Sequence, residues 1–130
     1  SKARAEGAEL VRSSLRDVVA NDSVWEKANL SGSNLLGASL VDASFHKASC
    51  EKTIFGEADL TNGRLRKANL KGAILVKANL FEAKLDRANL EGADLRGSNL
   101  HGTSLLRASL KGAQLDQAIT SYSDLDRRQG

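Results

Sequence analysis

Residues able to carry acid–base or metal chemistry are few in this chain and poorly placed for it. His46 and His101 lie 55 residues apart, and neither has Cys, Asp or Glu companions at ligand spacing. Cys50 is the single cysteine, so it forms no internal disulfide. It stands where leucine otherwise recurs, which predicts a buried, inert thiol. Ser, Lys, Asp and Glu are plentiful, yet none pairs with a histidine as nucleophile and base. The sequence therefore predicts no catalytic residue, no cofactor and no metal. It does offer cations at a fixed interval: Lys27, Lys47, Lys67, Arg87, Arg107 and Arg127 recur every 20 residues. Such a column suits contact with a polyanion through charge alone, whether a nucleic-acid backbone, an anionic membrane or an acidic protein.

The cations form a column only if the chain closes a coil every 20 residues, and a shorter repeat implies that it does. From Ala28 to Leu125 a large residue recurs at every fifth position, with a small one two positions before it. The large slot is Leu in 16 of 20 pentads, the exceptions being Phe45, Phe55, Cys50 and Thr120. The small slot is Ala in 14, and otherwise Ser33, Ser98, Ser123, Thr53, Thr103 or Gly63. In an α-helix five residues advance about 500°, which would spread the leucines around the whole surface. In a continuous strand an odd step flips the side chain to the other face. Within one pentad, however, the small and large residues share a side of extended backbone. A bend of about 90° every five residues keeps each new pair inward, and four bends close a square coil. Stacked at about 4.8 Å, such coils share backbone hydrogen bonds along the axis. The absence of proline fits that bonding. Asn29, Asn69, Asp94 and their equivalents, with Gly32, Gly72, Gly92 and Gly112, are taken as turn-formers that tolerate positive φ.

Runs such as Ala28-Asn29-Leu30-Ser31-Gly32 and Ala93-Asp94-Leu95-Arg96-Gly97 resemble those of pentapeptide-repeat proteins. The resemblance spans residues 26–125. It implies an all-β fold, a right-handed quadrilateral parallel β-helix of about five coils, and no single activity. The family includes DNA mimics that bind or protect bacterial topoisomerase, effectors, cyanobacterial regulators, chloroplast lumenal proteins and modules of larger proteins. The DNA mimics rely on a strongly acidic face. This chain departs from that pattern, with a formal charge of +3 and scattered acids.

The ends read differently. Leu10, Val11, Leu15, Val18 and Val19 fall at helical spacing, so residues 1–25 are expected to form a short capping helix and a junction near Trp25. Ala8 with Leu10 and Ser13 with Leu15 also obey the pentad rule, which makes an additional coil the competing arrangement. Residues 126–130 are expected to be a tail with no helix. An end-to-end homodimer through Ile119, Tyr122 and Leu125 would then cover the last coil. With no run of 18 apolar residues and no leader-type N-terminus, a soluble, cytoplasmic chain is the default.

Two surfaces remain as candidates for recognition. Arg64, Arg66 and Lys84 flank the cation column and make its middle strongly positive. No aromatic residue is expected to interleave with it, so contact would be confined to backbone charge. Lys and Arg stems covering the corner are the plainer explanation. The other surface is an apolar group, Ile54, Ile74, Val76 and Phe81, extended by Val41 and Leu36. The sequence thus favours a non-catalytic, rigid protein-interaction scaffold with an unidentified protein partner. A polyanion-binding module using the basic ladder is the alternative, with nucleic acid the less favoured ligand.

Overall fold

The computed structural model describes residues 3–129, with side chains through Asp126. Parallel bridges join residue n to residue n+20 from Arg4↔Val24 to Asn99↔Ile119, so the coil closes in 20 residues. Residues 3–122 make six coils of a parallel β-solenoid. Each coil has four turns and four short sides, and each side contributes one bridging residue to its neighbours.

Each turn has the same construction. Ala28 N–H donates to the Trp25 carbonyl at 3.0 Å, closing a four-residue turn whose third residue, Lys27, has φ 60°. A left-handed third residue after an ordinary second one is the type II pattern. Every fifth residue from Gly7 to Tyr122 repeats it, only some of them glycine. Asp17, Asp22, Asp42 and Asn62 do stand at left-handed turn positions, but the Asn and Asp that precede the large residue occupy a different place from the one expected. They are the bridging residues, and their side chains accept from the N–H two residues on, as in Asn29 with Ser31 at 3.1 Å and Asn79 with Phe81 at 3.1 Å. These Asx contacts satisfy an N–H that the turn leaves free. Between coils, Leu30 N–H donates to the Ser49 carbonyl at 2.7 Å and Asn29 N–H to the Ala8 carbonyl at 2.8 Å.

The pentad pairs fill the interior. Leu30 to Leu105 in the large slot and Ala28 to Ala93 in the small slot are almost wholly inaccessible. Thr53 and Thr103, standing in for Ala, donate to the carbonyls of Leu30 and Leu80. Among the described residues no buried side-chain polar atom lacks a partner.

Both ends correct the sequence-based expectation. Residues 3–25 do not hold a capping helix: Arg4, Glu9, Ser14 and Val19 bridge to Val24, Asn29, Asn34 and Ser39. The in-phase pairs Ala8–Leu10 and Ser13–Leu15 point inward, and the reversed pair Val18–Ala20 is tolerated because this coil is only half-buried. Trp25 is a core residue rather than a junction. It is 6% exposed, stacks on Phe45 at 5.9 Å, and donates from Nε1 to Ser23 Oγ at 2.6 Å.

The C-terminus is not a plain tail either, since α1 spans Asp124–Gln129. Ser123 caps it, its Oγ accepting from Leu125 N–H at 3.2 Å, while Asp124 and Asp126 lie in the positive first turn. Leu125 turns onto the last coil and is 8% exposed.

Candidate functional site

The turn that forms each corner also sets where the cations stand. Lys27, Lys47, Lys67, Arg87 and Arg107 are all third residues of turns on one corner, with φ between 59° and 62°. Their side chains are exposed and in register, one per coil. Arg127 lies in α1, beyond the coils, and its side chain falls outside the described residues. Arg64 and Lys84 are bridged to each other on the side just before this corner, and Arg66 is the second residue of a corner turn.

Four coils concentrate the charge. Positions 44, 46 and 47 and their equivalents up to 104, 106 and 107 hold seven cations and one carboxylate, net +6. The whole chain carries +3, so everything else sums to −3. Among the described residues none of these seven cations forms an ion pair. The one carboxylate, Asp86, is occupied by neutral donors, the Ser104 hydroxyl and the Leu106 N–H. A shallow groove of about 250 Å³ runs among Arg66, Asp86, Arg87, Leu106 and Arg107.

Another corner behaves differently. Arg96 forks onto Asp94 through Nε at 2.8 Å and a terminal nitrogen at 2.7 Å. That hydrogen bond holds the Asp94 carboxyl below the usual carboxylate range, against an opposing effect of burial. Charge is cancelled there and left open on the basic corner.

The apolar candidates separate. Ile54 and Ile74 bridge directly, Val76 follows on the next corner, and Leu36 leans over Gly56 between them. Ile74 is 39% exposed. Phe81 sits one corner further along the coil and does not join this group. The proposed dimer trio does not form one surface either. Leu125 is buried, while Ile119, 52% exposed, points out from a side and Tyr122, 79% exposed, from a corner.

Sequence reasoning missed an aromatic stack. Phe81 lies parallel to His101 with centroids 5.2 Å apart, and Tyr122 meets His101 edge-on at 5.2 Å. His101 Nδ1 is also 2.8 Å from Ser121 Oγ. The 20-residue spacing of Phe81 and His101 was the available signal. This stack occupies the corner that precedes the Arg64–Lys84 side, so that side runs between aromatic and basic corners.

Nothing among the described residues points to catalysis. His46 and His101 stand on different corners, and no group of His, Cys, Asp and Glu could hold a metal ion among these residues. Cys50 is fully buried, and desolvation pushes its thiol up to about 12. No helix among the described residues is long and apolar enough to cross a membrane.

No curated protein sequence matches the chain. Among solved structures it is similar to HetL from the cyanobacterium Nostoc sp. strain PCC 7120, a pentapeptide repeat protein involved in heterocyst differentiation regulation. That match has 24% identity, covers 93% of this chain and 82% of HetL, and has a TM-score of 0.52. A trypsin-treated variant of QnrB1, a plasmid-mediated fluoroquinolone resistance protein, matches at 14% identity and a TM-score of 0.60, covering 90% of this chain and 72% of that one. The pentapeptide repeat protein Rfr23 from Cyanothece 51142 is 37% identical over 78% of this chain and 63% of its own, with a TM-score of 0.42. The first two support a shared β-helical fold. A family model described as pentapeptide repeats matches residues 26–62, 53–90, 64–102 and 83–119. These segments take in most of the sequence, and the chain belongs to the pentapeptide-repeat family.

Proposed function

We propose that this chain is a rigid, non-catalytic protein-interaction scaffold built as a right-handed, square-sectioned solenoid. The observation that carries this reading is the unbroken axial ladder over a filled core, from the Ala5 N–H bonded to the Val24 carbonyl to the Ile119 N–H bonded to the Ser98 carbonyl. Side chains on such a lattice hold fixed separations, which lowers the ordering cost of meeting a partner. The Leu36, Ile54, Ile74 and Val76 cluster is the apolar surface offered to a protein. The test is a cross-linking pull-down from the native cell. A partner lost with Ile74→Asp but retained when Lys47, Lys67 and Arg87 become Glu supports the scaffold. Self-association through the C-terminal coil would use exposed Tyr122 and Ile119 on its flanks. A Tyr122→Arg chain that sediments as a stable monomer of the same mass as the parent rules it out.

A second reading, a polyanion-binding module, is favoured by the cations of the basic corner, which form no ion pair among the described residues. Binding to heparin or duplex DNA at low salt that disappears in the triple Glu variant supports it. Retention in that variant refutes it.

A further inference from the structure

We infer that the side between the basic and aromatic corners binds single-stranded nucleic acid, with phosphates along the Lys27-to-Arg107 edge and the bases nearest Arg87 and Arg107 laid toward Phe81, His101 and Tyr122. This deepens the polyanion reading and rests on it. Two tracks run parallel to the solenoid axis on either side of a flat strip and overlap in the C-terminal coils, where Phe81 faces Arg87 and His101 faces Arg107, while opposite Lys27, Lys47 and Lys67 the aromatic corner carries Asp22, Asp42 and Asn62 instead. One is cationic and forms no ion pair among the described residues. The other is a stack whose outermost ring, Tyr122, is 79% exposed and only edge-on to His101. The strip between them is three extended residues wide, about 10 Å. That is comparable to the reach from backbone to base edge in one nucleotide. Arg64 and Lys84 project from the strip itself and would meet sugar, phosphate or base edges.

Other polyanions use less of this surface. A duplex keeps its base faces paired and stacked, so the aromatic corner would have nothing to stack with. A lipid surface calls for exposed apolar side chains on the strip, whose bridging positions beyond the buried Val24 are Ser44, Arg64, Lys84 and Ser104. An acidic peptide would satisfy the cations and leave the tyrosine idle.

The length sets a magnitude. From Lys27 to Arg107 the edge spans four coil steps of about 4.8 Å, or about 19 Å. That accommodates about four phosphates, at the low end of single-strand site sizes. With about 0.7 counterions released per phosphate, log affinity should fall against log salt with a slope of about −3.

The experiment uses a labelled oligothymidylate and an oligouridylate of equal length. The comparison ligands are a duplex of the same length, heparin, and vesicles containing phosphatidylserine. Lys47→Gln, Lys67→Gln and Arg87→Gln together should reduce single-strand affinity at least tenfold and flatten the salt slope. A charge-matched control on two other corners, Lys71→Gln, Lys77→Gln and Lys111→Gln, should change it less than threefold. Tyr122→Ala should weaken single-strand binding about fivefold to a hundredfold with the slope unchanged, and Tyr122→Phe should restore it. Three results overturn the inference: an unaffected Tyr122→Ala variant, tighter binding to duplex or vesicles than to single strands, or equal losses in the ladder and control triples. Heparin binding that persists through such a result leaves the broader polyanion reading standing. Absence of both heparin and oligonucleotide binding removes the two together.

Discussion

Replacing three ladder residues with glycine, as Lys47→Gly, Lys67→Gly and Arg87→Gly, should stabilise the solenoid. All three occupy left-handed turn positions, at φ 59°, 60° and 62°. An L residue there carries a backbone penalty of about 1–2 kcal/mol, which glycine does not. Glycine in turn loses more freedom on folding, at a cost of roughly 0.5–1 kcal/mol. The difference is about 0.5 kcal/mol per site, and relief of like-charge crowding adds a few tenths at most. Three sites together give about 1.5 kcal/mol, a rise in melting temperature of about 5 °C for a chain of this size. The equivalent turns at Gly32, Gly72, Gly92 and Gly112 already use glycine at φ 66° to 72°, so the backbone accepts it. The assay is urea unfolding followed by circular dichroism, with Trp25 fluorescence reporting the second coil. A midpoint that rises with an unchanged slope agrees with the expectation. A triple variant that loses more than about 1 kcal/mol would refute it, because the lysine and arginine stems would then be holding the corner through packing.

Other expectations follow from the interior and from two titrating groups. Leu70→Ala in the middle coils should cost about 2–5 kcal/mol by leaving a cavity among rigid neighbours, read from the same unfolding curves. Gly63→Ala should cost about 1–3 kcal/mol, since its new Cβ would lie 2.9 Å from the Leu60 carbonyl oxygen. The Cys50 thiol titrates at about 12 when folded against 9.0 when exposed. Its contribution to stability is therefore complete below pH 9 and lost progressively as pH rises from 9 toward 12. Cys50→Ser should lessen that alkaline loss, and thiol reagents should label Cys50 only at the rate of unfolding. Arg96→Gln should return the Asp94 carboxyl toward its ordinary range, observable as an upward move of its NMR titration midpoint.

The repeat itself was readable because pentad pairs such as Ala28–Leu30 constrain the backbone more tightly than any local propensity. The 20-residue columns followed from it, including Lys47 beneath Lys67 and Ile54 beneath Ile74. The first coil was obscured because five apolar residues, Leu10 to Val19, fit helical spacing as well as alternation. Only the bridges from Arg4, Glu9, Ser14 and Val19 decide between them. Helix α1 is too short to show a period, although Ser123 followed by Asp126 resembles a capping box. Phe81 was assigned to the wrong cluster because Val76 is close in sequence but lies one corner away. Its true neighbour, His101, was one coil up. The 20-residue spacing places Phe81 and His101 in one column, whereas the parallel ring geometry depends on side-chain rotation at the corner.

Since each residue's height and compass direction are fixed by its number modulo 20, the fold treats insertions unequally. Duplicating a whole coil would lengthen the rod and add one more positive charge to the same edge. Losing a single pentad would swing everything beyond it by a quarter turn, moving Arg87 and Arg107 off the line begun by Lys27. Lineages of this molecule should therefore vary in length by complete coils wherever the cationic edge is under selection, and by pentads where it is not.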